Sequence, residues 1–488
     1  MRLRASLLAT LVAVLVVAGG ATGAALTIRA AHAAPSPCAG HVDGTALTPT
    51  LLGAANLVEV PTNWNGTLLL YSHGYTFGPA NPARDVGDPI TRAALLQQGF
   101  ALAGSSYSTT GWALQQAFPD QIALLDYFNA TCGHPAQTIA WGHSLGGIIT
   151  AGLVQLHPDR FAGALPMCGV LAGGVGTWNQ ALDSSFAFSQ LLTGGALPFV
   201  RVPPAQAQAD FFAAEGAIQQ AQTTAAGRAR IALSAALADL PGWFTSLSPE
   251  PASTDFAGQE FNQFLWQSQV DLAFAYFGRA ELEARAGGNP SWNTGVDYHA
   301  QLAHSADRDE VKALYAAAGL DLNADLDALN DAPRVAADPG AVAYLSTNIT
   351  FNGDLGGVPV LTMHTTGDGL VENQDEQSYL NAVRNAGDPQ LLREIFVHRA
   401  GHCAFTPAET LTALATLLHR VKSGHWGNTD NPDGLNQAAS ALGPSLNVFF
   451  ANNSVVPTAP AFLDFSPTKF LRPFTAFTDA GGDSQGGN

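Results

Sequence analysis

Few folds accommodate a serine held between two glycines where a short apolar run meets a helical one, and residues 138–157 contain that arrangement. Thr138-Ile139-Ala140-Trp141 reads as a buried strand. Gly142-His143-Ser144-Leu145-Gly146 follows, and a helix is predicted over Leu145–His157. The small flanking residues let the chain turn sharply without a clash. A strand–turn–helix of this kind lifts the serine hydroxyl clear of the sheet. The bare Gly-x-Ser-x-Gly pattern is weak, since a chain with 50 glycines supplies about 0.3 copies by chance. Context separates the two copies present. Gly482-Asp483-Ser484-Gln485-Gly486 has no strand before it and no helix after it, and reads as a flexible end.

Apolar runs recur along the chain at Thr67–Ser72, Phe100–Gly104, Thr138–Gly142, Phe161–Met167, Val358–His364 and Ile395–Val397. Helical stretches lie between them at Ile90–Gln98, Phe118–Asn129, Leu145–His157 and Glu372–Ala386. Such runs read as strands buried on both faces. Strands alternating with helices predict an α/β fold, a mostly parallel sheet flanked by helices. The alternation stops over about 171–357, which turns Ala- and Gln-rich, as in Ala205–Leu240 and Val311–Ala318. That stretch is expected to be a large helical insertion. The predicted organisation is a leader (1–34), a first core part (35–170), the insertion (171–357), a second core part (358–442) and a Phe/Pro-rich tail (443–488) that packs over the core in irregular form.

A serine is a poor nucleophile without a base, and the base needs an orienting acid. With this type of turn the chain order is serine, acid, histidine. After the fifth run stands His364-Thr365-Thr366-Gly367-Asp368-Gly369-Leu370-Val371, and after the sixth His398-Arg399-Ala400-Gly401-His402-Cys403. Asp368 therefore falls at a strand's C-terminal end, where open α/β sheets place functional groups. His402, in a loop after a glycine, is the expected base, with His398 as its rival. Asp368 as a helix cap and His402 as a solvated loop residue are the plain alternatives. Acyl transfer also needs two N–H groups aimed at the developing oxyanion. Leu145, after the nucleophile, and Tyr75, in His73-Gly74-Tyr75-Thr76, are the expected donors.

Residues 1–34 read as a secretory signal peptide, with Arg2 and Arg4, an apolar run from Leu7 to Val17, and the small-x-small site Ala31-His32-Ala33. An uncleaved anchor is the alternative. Cys38 follows Pro35-Ser36-Pro37, which is not a lipobox. Of the chain's 488 residues, 47% are hydrophobic and 12% charged, which excludes a disordered chain. The net charge of -18 disfavours nucleic acid and anionic membranes as partners. Four cysteines, too few for a scaffold, suffice for two staples in an exported protein and allow three pairings.

Through His73-Gly74-Tyr75, Gly142-His143-Ser144-Leu145-Gly146-Gly147, Asp368 and Gly401-His402, the chain resembles the α/β-hydrolase superfamily, and its secreted bacterial esterase and lipase-like members in particular. The likeness covers about 50–170 and 355–425. It implies a Ser144-Asp368-His402 hydrolase with a helical cap inserted after the strand that follows the elbow helix. Tannases and fungal feruloyl-esterase-like enzymes offer a closer comparison, since they carry a cysteine after the catalytic histidine that is bonded to one before the catalytic serine. Here Cys403 follows His402, but His143 precedes Ser144, so the pattern is half present. This resemblance implies Cys168–Cys403, with Cys38–Cys132 as the second pair; the plain alternative for Cys168 is a buried thiol.

Other features are bland. Asp321-x-Asn323-x-Asp325 lacks the glycine and terminal glutamate of a calcium loop and reads as helix surface. No zinc spacing and no phosphate-binding glycine loop occurs, so neither metal nor cofactor is expected. Trp112, Trp178, Phe186 and Trp266 are candidates for a pocket, although aromatics more often serve the core. The expected function is a secreted serine hydrolase of carboxylic esters, small or polymeric, with a hydrophobic or aromatic substrate and no stable membrane insertion after leader cleavage. A peptidase or amidase with the same triad is the alternative, but no acidic cluster for a charged terminus is evident in the cap. A hydrolase fold recruited for binding would be expected to show a broken triad. The oligomeric state is left open.

Overall fold

The computed structural model describes residues 36–475 apart from 80, 428–429 and 452–453. The expected leader and the second Gly-x-Ser-x-Gly copy lie outside the described residues.

The strands run β1 (Thr50–Leu51), β2 (Ala54–Glu59), β3 (Thr67–Ser72), β4 (Ala101–Ser105), β5 (Gln137–His143), β6 (Gly163–Met167), β7 (Val360–Gly367), β8 (Leu392–Ala400), β9 (Val448–Ala451), β10 (Ser454–Pro457) and β11 (Phe462–Leu463). Nine of them form one sheet in the order β1-β2-β4-β3-β5-β6-β7-β8-β11. The strands from β4 through β8 are parallel to their neighbours, while β2 pairs antiparallel with β4 and β11 antiparallel with β8. The parallel strands are legible as apolar runs because both of their faces are covered; every residue of β3 is buried. Alternate residues feed opposite cores. Leu68 and Leu70 pack on one face with Ile148 and Phe118, and Leu69 and Tyr71 on the other with Trp141 and Leu414.

Before the insertion come α1 (Pro89–Gln97), α2 (Leu114–Cys132) and α3 (Leu145–Leu156). Between β6 and β7 stand α4 (Gly173–Thr193), α5 (Pro204–Gln222), α6 (Ala225–Ala236), α7 (Phe256–Trp266), α8 (Arg279–Ala286), α9 (Tyr298–His304), α10 (Arg308–Ala318), α11 (Leu322–Asp331) and α12 (Pro339–Thr347). This cap has apolar centres of its own, around Phe186, Leu233 and Tyr298, and around Phe199, Ile218 and Tyr276. After β7 come α13 (Gln374–Ala386), α14 (Pro407–Ser423) and α15 (Pro432–Ala441).

The helical stretch at Ala205–Leu240 is built as α5 and α6: the chain breaks after α5, and the Thr224 side chain caps α6 by accepting from Gly227 N–H at 2.9 Å. One expectation needs correction: the tail is not wholly irregular. β9 and β10 form a hairpin, and β11 covers the open edge of β8 with Phe462 buried against the core. Asp321 sits as the N-cap of α11, and Asp325 pairs with Arg230 at 2.8 Å. Disulfides join Cys38 to Cys132 and Cys168 to Cys403.

Candidate active site

β5 and α3 meet at Ser144, whose φ of 59° and ψ of -125° strain a non-glycine residue. The strain is held by contacts that only glycine permits. A Cβ on Gly146 would lie 1.9 Å from the Ser72 carbonyl oxygen, and one on Gly142 would lie 2.4 Å from the same atom. Ser144 N–H donates to Met167 O at 3.0 Å, which ties the turn to the end of β6.

Asp368 follows β7 and is fully buried. Its Oδ1 accepts from Leu370 and Val371 N–H, each at 3.1 Å, and its Oδ2 lies 2.7 Å from His402 Nδ1. Burial pushes the carboxyl pKa up. The charge on His402, the hydrogen bond from His402 and the nearby His364 ring outweigh burial and hold it well below the usual carboxylate range. With Nδ1–H given to Asp368, Nε2 of His402 is left as the basic nitrogen. Cys403 is bonded to Cys168, one residue after the Met167 carbonyl that anchors Ser144. The loop carrying His402 is thereby fastened beside the Ser144 turn. The Ser144 hydroxyl makes no hydrogen bond among the described residues.

Tyr75 and Leu145 share one cavity wall with Ser144, and their backbone N–H groups donate to nothing among the described residues. Gly74 presses on the serine, since a Cβ there would lie 3.2 Å from Ser144 Cβ. The loop is braced by Tyr107, which stacks on His73 at 4.1 Å and donates to the His73 carbonyl at 2.9 Å. His143, beside Ser144, lies 3.1 Å from the Tyr71 hydroxyl; burial and then the charge of His402 push its pKa down to about 4.

The cavity offers about 110 Å³ of water-accessible space and is walled by Trp112, Trp178, Leu240 and Phe274. Of the four aromatics proposed for a pocket, Trp112 and Trp178 line it. Phe186 instead stacks on Tyr298 in the cap core, and Trp266 packs on Phe244. The sequence reading missed two acids. Asp271, in a π-helical turn of the cap, and Glu372, four residues after Asp368, both face this cavity, so the cap does contribute acidity to the site. Burial, then the charges of Asp375, Asp271 and Asp368, raise Glu372 well above the ordinary range. Its position close after Asp368 was a readable signal; nothing in the sequence marked Asp271. The rival base His398 pairs with Glu250 at 2.8 Å and stacks edge-on against Trp243. The sulfurs of Cys168 and Cys403 lie within 4.8 Å of a His402 ring nitrogen, but their disulfide leaves no thiolate for a metal.

The parallel sheet, the strained serine between β5 and α3, and the acid and histidine after β7 and β8 are on one framework. Residues 99–174, which include the whole turn, match the prolyl oligopeptidase family. The architecture is that of an α/β-hydrolase fold. The chain is 28% identical to the o-phthalyl amidase of Xanthobacter agilis over 421 residues, 80% of this chain and 89% of that protein. Among solved structures it is similar to feruloyl esterase B from Aspergillus oryzae, at 15% identity and a TM-score of 0.41 over 78% of this chain and 81% of that one. It is also similar to an esterase from Aspergillus oryzae, at 12% identity and a TM-score of 0.40 over 88% of each chain.

Proposed function

We propose that this α/β-hydrolase is a secreted serine hydrolase that cleaves carboxylic esters. The observation that carries the reading is the 2.7 Å Asp368–His402 pair, fastened by Cys168–Cys403 beside the strained Ser144 turn. His402 Nε2 takes the Ser144 proton as Oγ bonds to the ester carbonyl carbon. The N–H groups of Tyr75 and Leu145 receive the negative oxygen. The imidazolium, balanced by Asp368, then gives its proton to the leaving alcohol as the carbon–oxygen bond breaks. Water, deprotonated by His402, releases the acid and restores the serine. The two disulfides suit an oxidising compartment and support export.

A second reading, hydrolysis of an acyl amide by the same steps, is supported by the relative named an o-phthalyl amidase. Matched ester and anilide substrates with one acyl group decide between them. Ester cleavage at a kcat/KM at least tenfold above the anilide supports the first reading, and the reverse order supports the second. In either case mass spectrometry of a quenched turnover should find the acyl group on the peptide containing Ser144. Acylation elsewhere contradicts both.

A further inference from the structure

Four residues before Asp368, on β7, a second histidine is completely buried. His364 Nε2 lies 2.9 Å from Val371 O and 3.6 Å from Asp368 Oδ2, and Nδ1 lies 3.0 Å from Glu376 Oε1. A carbonyl oxygen only accepts, so Nε2 carries a proton. The other nitrogen faces a carboxylate that is itself fully buried. The expected role of a strand histidine is core filling, but this one is surrounded by acids. Asp368 faces it from the loop after β7, and Glu376 and Asp375 from α13. Behind Glu376 stand Glu394 on β8 and Tyr379 on α13, both raised by burial and then by the charge of Glu376. The ring and the acid grip the same loop. Asp368 Oδ1 holds the N–H groups of Leu370 and Val371, while His364 Nε2–H holds the Val371 carbonyl.

We propose that His364 is a buried imidazolium that positions Asp368 and limits the basicity of His402. Burial pushes an imidazole pKa down, but the close charge of Asp368 and the hydrogen-bonded carboxylate of Glu376 prevail and carry it up to about 10. Asp368 then faces two cations whenever His402 is protonated. Its charge is shared, and His402 holds a proton less tightly than it would against Asp368 alone. The consequence for turnover rests on the triad reading; the charge on His364 does not. His364 is a positioning residue, since it meets Asp368 and not the reacting atoms.

The test follows ¹⁵N-histidine resonances of the full chain between pH 5 and 9, beside kcat/KM against pH, for wild type, His364→Gln and Glu376→Gln. One imidazole should keep both ring nitrogens protonated across the whole range, vanish in His364→Gln, and titrate within the range in Glu376→Gln. The acidic limb of kcat/KM should move up by about half a pH unit or more in His364→Gln, because a cation beside the Asp368–His402 pair is gone. A singly protonated His364, or one titrating near 6.5 in wild type, overturns the proposal, and this readout needs no variant beyond assignment. An acidic limb that stays in place or moves down in folded His364→Gln overturns the effect on His402. If Ser144→Ala keeps full turnover, the triad reading fails, and the resonances still decide the charge on His364.

Discussion

Cys403, the residue after His402, is bonded to Cys168, the residue after the Met167 carbonyl that accepts from Ser144 N–H. One covalent bond and one hydrogen bond thus connect the His402 loop to the Ser144 turn across a sequence separation of 235 residues. Removing both sulfurs, as Cys168→Ala with Cys403→Ala, should cost about 2–4 kcal/mol of stability and lower kcat even where the protein stays folded. Thermal melting beside ester turnover checks both effects. Unchanged kcat in the folded variant would mean that the bond serves stability alone.

Asp368 needs its charge as well as its shape. Asp368→Asn should fold, keep KM within a few-fold and lose about 10³–10⁴ in kcat, because the amide no longer stabilises the imidazolium or fixes its tautomer. Steady-state kinetics on one ester is sufficient. A loss below tenfold would make Asp368 a loop anchor, a role its bonds to Leu370 and Val371 N–H would also explain.

Stability should carry a pH signature of His364. Its pKa is raised from 6.5 to about 10 in the folded chain, so its contribution is fully present below pH 6.5 and is lost as pH rises through about 10. The melting-temperature gap between wild type and His364→Gln should therefore be widest near pH 6 and narrow toward pH 10. A gap that widens with pH would assign the opposite sign.

Much of this was legible in the sequence, for identifiable reasons. β3, β5 and β7 are buried on both faces, so their apolar runs stand out. The order Ser144, Asp368, His402 could be read because each residue follows such a strand. β2 escaped because Ala54–Glu59 alternates in burial and ends on the buried, ion-paired Glu59. The helical character of 205–240 could be read because its alanines favour helix throughout, whereas the break between α5 and α6 rests on the Thr224 cap alone. Asp271 reaches the cavity by way of the cap, and His364 reads as an ordinary strand residue until α13 folds Glu376 against it. Neither relation is local in the chain.

Close approach makes sharp demands on two glycines. Gly146→Ala should leave little folded protein, since its Cβ would meet the Ser72 carbonyl at 1.9 Å. Gly74→Ala should fold, because its Cβ would stand 3.2 Å from Ser144 Cβ and 3.6 Å from Oγ, and should lose about 10–100-fold in kcat/KM by crowding the reacting carbonyl. Soluble yield and melting behaviour separate the two variants. A well-folded, fully active Gly146→Ala would refute the described turn.

The most direct measurement is turnover of nitrophenyl esters of increasing acyl length by the chain lacking residues 1–34, beside Ser144→Ala and Ser484→Ala. Wild type and Ser484→Ala should turn over alike, with a preferred acyl length set by the cavity between Trp112 and Trp178, and Ser144→Ala should lose activity by at least about 10³-fold. Full activity in Ser144→Ala, or its loss in Ser484→Ala, would show that Ser144 is not the nucleophile.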